Sequence, residues 1–159
     1  MHFAARRARR EVGRDGRRIY SSSRMSHPNE RGTIMSERKK VSRFEKLEVW
    51  KEGCDLAVEI YKLSKIGKLA RDYGLKDQMT KSAVSIPSNI AEGKERETVP
   101  ELIRYLYIAK GSTGELQTQL YIAQRIGHVD EGTSYNLIQQ TKVLSKKLGS
   151  FIQYLRKKN

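Results

Sequence analysis

The chain contains a single cysteine, Cys54, so no internal disulfide can form and a reducing, cytoplasmic setting is expected. Its three histidines, His2, His27 and His128, share no metal-ligand spacing with Cys54 or with each other. A zinc site is therefore not expected, and no other metal or cofactor is implied. Three phenylalanines and one tryptophan are few for a β protein, which favours aromatic and β-branched residues. No run approaches ~18 consecutive apolar residues, so no membrane-spanning helix is expected. Acids are also scarce: 18 Asp and Glu face 32 Lys and Arg, a formal net charge of +14. That surplus speaks of partners and solubility, not of fold.

The positive charge is uneven. Residues 1–40 carry twelve Lys and Arg against Glu11, Asp15, Glu30 and Glu37, whereas residues 41–159 carry twenty against fourteen acids. The first segment has no apolar period and reads as a disordered basic tail, too poor in burial to offset chain entropy. Three readings of it stay open: a nucleic-acid arm, a transit peptide, or an upstream extension of a chain that starts at Met25 or Met35. Codons for Glu30, Arg31 and Gly32 can spell a purine-rich run resembling a ribosome-binding site before Met35. The tail lacks the apolar stretch of a secretory signal.

From Phe44 onward the apolar period is 3.6. A first helix is predicted from about Arg43 to Ile66, with Leu47, Trp50, Cys54, Ala57, Val58 and Tyr61 on its inward stripe. A second runs from about Leu75 to Gly93, turning Met79, Ala83, Ile86 and Ile90 inward, with "GKERET" as the following loop. Thr98 and Glu101 form a capping-box pattern around Pro100. The third helix then extends to about Ile126 through Leu102, Tyr105, Leu106, Ala109, Leu116, Leu120 and Ala123. The fourth begins after Asp130 and reaches about Arg156, with Leu137, Ile138, Leu144, Leu148, Phe151, Ile152 and Leu155 inward. Four long helices on short links must lie side by side. The predicted fold is all-α, an antiparallel up-down-up-down four-helix bundle over residues 41–159.

Catalytic chemistry is not expected. Cys54 lies on an apolar stripe, and His128 alone cannot build a Ser-His or Cys-His pair. "GSTGE" at 111–115 lacks the lysine and the strand of a phosphate loop. "SIPSNIAEG" at 85–93 holds Pro87, Asn89, Glu92 and Gly93 where plain aliphatics would serve a helix better. We read it as a structural device: a proline kink that meets a helix thinned by Gly111, Ser112 and Gly114. Asn89 and Glu92 would satisfy backbone or hydroxyl groups freed there, with Glu115 on the facing helix.

"FEKLEVWKEG", "SIPSNIAEG" and "LIRYLYIAKGSTGELQTQLYIAQRIG" together resemble the bacterial four-helix-bundle proteins encoded by 23S rRNA intervening sequences. That group is similar to the accessory variability determinant proteins of diversity-generating retroelements. The resemblance spans roughly Phe44 to Leu155 and leaves residues 1–40 unmatched; Gly114 stands where a larger apolar residue is commoner. It implies a cytoplasmic, non-enzymatic homopentamer with a basic surface suited to nucleic acid. Independently, Val99, Ile103, Tyr107, Ile108, Tyr121 and Ile122 spread apolar character beyond one stripe of the third helix, which points to a second partner such as another subunit.

The fourth helix offers the binding candidates. Lys142, Lys146 and Lys157 fall within about 60° of one another at 100° per residue. Arg156 and Lys158 extend the stripe, with Lys147 to one side. No Asp or Glu follows Glu131 in this helix, so the stripe is uncompensated. Sequence-tolerant contact with RNA or DNA backbone is the leading expectation. The alternative is a scaffold docking an acidic protein such as a reverse transcriptase.

Overall fold

The computed structural model describes residues 43–159, which belong to one compact unit, Lys40–Asn159. The tail expectations for residues 1–40 lie outside the described residues. Four helices carry the fold: α1 (Glu48–Leu63), α2 (Tyr73–Glu95), α3 (Val99–Arg125) and α4 (Glu131–Lys158). Single 3-10 turns at Phe44–Lys46 and Leu69–Arg71 precede α1 and α2. No strand occurs among the described residues.

The helix ends follow local chemistry. Asp72, Thr98 and Asp130 occupy the N-caps of α2, α3 and α4, each accepting a hydrogen bond from the backbone N–H three residues on. Such caps satisfy donors that the helix itself leaves unpaired. At Thr98 the box is altered: the hydroxyl donates to Glu101 Oε2 at 2.7 Å. Helix α3 stops at Gly127, whose φ of 70° suits a residue without a β-carbon. There the Gly127 N–H donates to Gln124 O at 3.0 Å and the His128 N–H to Ala123 O at 2.9 Å, a Schellman closure.

Side-chain pairs establish that neighbouring helices are antiparallel. Lys147 meets Glu52 and Gln140 meets Glu59, so numbering falls along α4 as it rises along α1. Between α2 and α3 the same inversion links Ser82 with Glu115, Ser85 with Ser112 and Glu92 with Tyr105. Ser134 Oγ donates to Leu120 O across α3 and α4 at 3.2 Å. The bundle is thus up-down-up-down.

The core collects Ile60, Met79, Ala83, Ile86, Ile90, Leu106, Leu116, Leu120 and Leu148, all inaccessible to solvent. The inward sets predicted for α2, α3 and α4 are the ones packed, except that Tyr105, Phe151 and Leu155 are only partly buried. Helix α1 departs from expectation. Its buried stripe is Val49, Gly53, Leu56, Ala57 and Ile60, whereas Val58 and Tyr61 are exposed and Leu47, Trp50 and Cys54 are only half-buried. The predicted stripe was rotated by roughly one residue, about 100°. Gly53 explains the rotation. A β-carbon there would stand at ordinary contact distance, 3.4 Å, from Ile86 Cγ2 and from Pro87 Cδ, so this position faces α2 although an apolar count sees a gap. Trp50 instead packs edge-on against Phe44, centroids 5.2 Å apart.

Helix α2 also runs two residues past Gly93, so Lys94 and Glu95 of the predicted loop are helical. No helix among the described residues is long and apolar enough to cross a membrane.

Candidate functional site

Helix α4 carries one acid, Glu131, in its first turn and none afterwards, so its cations have no partner on their own helix. Lys142, Lys146 and Lys157 are exposed, and none has a carboxylate within salt-bridge distance among the described residues. Lys147 differs. Its ammonium pairs with Glu52 of α1, which turns a predicted binding residue into part of the α1–α4 contact. At the C-terminal end the Arg156 guanidinium sits 5.4 Å from the ring centre of Tyr107, and Lys158 Nζ 5.0 Å from that of Tyr154. A hydrogen bond with the Tyr154 hydroxyl raises the Lys158 pKa, keeping the ammonium charged. Cations beside exposed aromatic faces are suited to phosphate with adjoining bases.

The predicted device in "SIPSNIAEG" is a polar seam, built differently from expectation. Ser82, Ser85, Asn89 and Glu92 are spaced three and four apart, so they line one edge of α2 toward α3. Asn89 Nδ2 donates to Ser85 O at 2.7 Å and to Ser85 Oγ at 2.9 Å, while Ser112 Oγ stands 3.0 Å from Ser85 Oγ. At one end, Ser82 Oγ donates to Glu115 Oε2 at 3.3 Å and accepts from Gln119 Nε2 at 3.0 Å. At the other, Glu92 Oε1 accepts from Tyr105 Oη at 2.8 Å and from Arg96 Nη2 at 2.5 Å. The hydrogen bond from Tyr105, then that from Arg96, holds the Glu92 carboxyl below its ordinary range.

Two parts of the predicted device are corrected. Gly111 and Gly114 do not admit α2: a β-carbon at either would meet nothing within 4 Å. They lie on the exposed side of α3, while the close approach falls at Gly93, against Tyr105 and Leu102. Pro87 faces Gly53 of α1, so its contact serves α1–α2 packing. Glu92, half-exposed, does bond a hydroxyl, that of Tyr105, together with the Arg96 guanidinium at the rim. Sequence reasoning missed Arg96, Tyr105 and Gln119; the spacing of Ser82, Ser85, Asn89 and Glu92 was the available signal.

The titratable groups elsewhere are dispersed. Burial, and secondarily Asp55, push the Cys54 thiol up, which keeps it protonated and poorly nucleophilic. His128 Nε2 lies 3.2 Å from Asp72 Oδ2, a contact tying the α3–α4 turn to the start of α2. No group of three or more potential metal ligands occurs among the described residues.

Against this geometry, comparison with known proteins is direct. The family model described as 23S rRNA-intervening sequence protein matches residues 45–150. A solved structure, a protein with unknown function from the S23 ribosomal protein family of Bacteroides thetaiotaomicron VPI-5482, superposes with a TM-score of 0.61. It is 22% identical and covers 65% of this chain and 97% of its own, a likeness of fold. No curated protein matches. With the match running from the first turn of the bundle to the last turns of α4, the chain belongs to the 23S rRNA-intervening sequence protein family.

Proposed function

We propose that this chain is a non-enzymatic, oligomeric protein that binds RNA or DNA through its basic helical surface. The carrying observation is the exposed set Lys142, Lys146 and Lys157, without a carboxylate partner among the described residues, on a helix without acids after Glu131. Uncompensated like charges on one face repel each other, and a polyanion relieves that repulsion while releasing its own counterions. Nothing about lysines on a helix face reads base edges, so contact is with backbone phosphate and sequence-tolerant.

Oligomerisation is supported by the outer face of α3. Tyr107, Ile108, Tyr121 and Ile122 are each more than two-fifths exposed, far more apolar surface than one helix edge of a monomer needs. Resemblance to the accessory proteins of diversity-generating retroelements suggests five copies in a bacterial cytoplasm. Repeating the α4 stripe around a ring would add weak contacts by multivalency.

The test is salt-titrated binding together with sedimentation. Affinity for RNA or DNA should fall linearly on a log–log plot, with a slope of about −0.7 to −0.9 per neutralised phosphate. Changing Lys142, Lys146 and Lys157 together to glutamine should flatten that slope and leave the oligomer intact. An unchanged slope moves the site away from α4; a monomer in sedimentation removes the multivalent argument.

A second reading has its own observation. An apolar groove of about 520 Å³ lies between α1 and α2, lined by Cys54, Ala57, Val58, Val84 and Pro87 with Lys62 and Lys65 at its edge. Such a groove suits an acidic protein partner, and a reverse transcriptase is the partner the retroelement resemblance suggests. Shallow salt dependence of nucleic-acid binding would favour it.

A further inference from the structure

At the end of the bundle opposite Lys157, a cleft of about 830 Å³ opens where α1 hands over to α2. Its volume falls within the roughly 300–1,000 Å³ of ordinary ligand sites. Tyr61 of α1 and Tyr73 of α2 both line it, and neither belongs to the core: they are 46% and 75% exposed. Resting on the nucleic-acid reading above, we propose that this cleft is a second contact site, one that stacks unpaired bases of single-stranded RNA or DNA.

Charge is the first ground. Residues 62–76 contain Lys62, Lys65, Lys68, Arg71 and Lys76, with Asp72 as the one acid in the span. Asp72 is engaged elsewhere: Oδ1 accepts from the Leu75 N–H at 3.0 Å, and Oδ2 lies 3.2 Å from His128 Nε2. Asp77, which also lines the cleft, pairs with Lys81 at 2.6 Å. Of these cations Lys65 and Lys76 line the cleft itself, and the carboxylates of Asp72 and Asp77 are already occupied. A strand's phosphates supply the missing countercharge.

The aromatic geometry is the second ground. Lys76 Nζ donates to Ala70 O at 3.1 Å and stands 4.4 Å from the centre of the Tyr73 ring. Anchored at both ends, Lys76 steadies the ring while covering only one of its faces. A ring this exposed keeps the remainder of its surface open to a base. Every base has a π-face, so stacking tolerates sequence, in keeping with the lack of a groove-reading element among the described residues. Bases inside a duplex are already stacked on one another and cannot use the platform. The cleft thus separates single strands from duplexes, a distinction the α4 lysines alone cannot make.

The experiment compares an oligo(U) and an oligo(dT) strand of about 12 nucleotides, within the range one single-strand site covers, with a duplex of equal length. Full-length protein and its Tyr73→Leu, Tyr61→Leu and Tyr73→Phe variants are titrated with each. Tyr73→Leu should weaken single-strand binding about tenfold, the scale of one lost stacked base. Tyr61→Leu should weaken it in the same sense. Tyr73→Phe should stay near the parent, and duplex binding should not move. A larger loss with oligo(U) than oligo(dT), or the reverse, shows which of the two strands the cleft prefers within the same proposal. Equal losses on strand and duplex, or no loss with either leucine variant, overturn the stacking site while leaving α4 untouched. Absence of any nucleic-acid binding by the parent protein brings down the broader reading and this one with it. Protection of Tyr73 by an acidic amphipathic peptide that single strands fail to displace would make the cleft a protein-docking site and overturn the assignment.

Discussion

Gly93 of α2 and Tyr105 of α3 approach so closely that a β-carbon built on the glycine would stand 2.6 Å from the tyrosine's own β-carbon. No side chain fits there without moving a helix. Gly93→Ala should therefore destabilise the bundle by about 1–3 kcal/mol, the usual cost of overpacking. Gly111→Ala should do the reverse, because that glycine is helical and meets nothing within 4 Å. Gaining a good helix former there contributes up to about 1 kcal/mol. Denaturant unfolding of the two variants should show midpoints displaced in opposite directions.

Leu120 is wholly buried toward the C-terminal end of α3, and its own carbonyl receives the Ser134 hydroxyl. Truncation to alanine should cost about 2–5 kcal/mol, since the packed surroundings can only partly collapse into the space. A loss of a few tenths, read from the same unfolding curves, would contradict the packing of α3.

Glu92 links stability to pH. Its folded-state pKa is lowered by Tyr105 and then Arg96, so the unfolded chain binds more protons in the acid range. The contribution is complete above the unfolded glutamate value of about 4.3 and is lost as pH falls through the lower folded value. Asp130, lowered mainly by the Thr133 backbone N–H, acts in the same direction. Thermal melts between neutral and strongly acid pH should fall less steeply for Glu92→Gln than for the parent. Identical slopes would mean that the Glu92–Tyr105–Arg96 contacts do not persist in solution.

Lys146 and Lys147 are chain neighbours with different roles, because only Lys147 is held by Glu52. Lys146→Gln should reduce the salt slope of nucleic-acid binding by about 0.7–0.9. Lys147→Gln should reduce it far less and instead lower stability by up to about 1 kcal/mol, as a partly exposed ion pair allows. Equal effects of the two substitutions on the slope would show that the Glu52 pair opens on binding.

Much of the fold was legible in the chain before any coordinate. Thr98 with Glu101, Gly127 and Asp130 announce helix ends because caps are local: each side chain or backbone kink acts within a few residues of itself. Met79, Ala83, Ile86 and Ile90 announce the core of α2 because apolar residues recur at the helical period and their neighbours do not. Helix α1 was harder. Its apolar residues fill two adjacent stripes, and the period alone cannot say which one the neighbours cover. The packing of Pro87 and Ile86 against Gly53 decides it.

The candidate sites divide along the same line. Scarcity of acids in α4 is a property of composition, so the sequence by itself determined that its lysines have no partner on their own helix. That Glu52 of α1 reaches Lys147 and leaves Lys146 free depends on how two helices distant in the chain align. Glycine shows the division most plainly. Gly93 and Gly111 are equally bare as letters, yet one lies beneath Tyr105 and the other faces outward. Likewise the juxtaposition of Tyr61 and Tyr73 across one cleft exists only once α1 and α2 fold back on each other. Local chemistry determined where helices begin, end and turn their apolar faces. Interhelical alignment, set by which side chains can interdigitate, decided which glycines touch, which charges pair and which aromatics stay open.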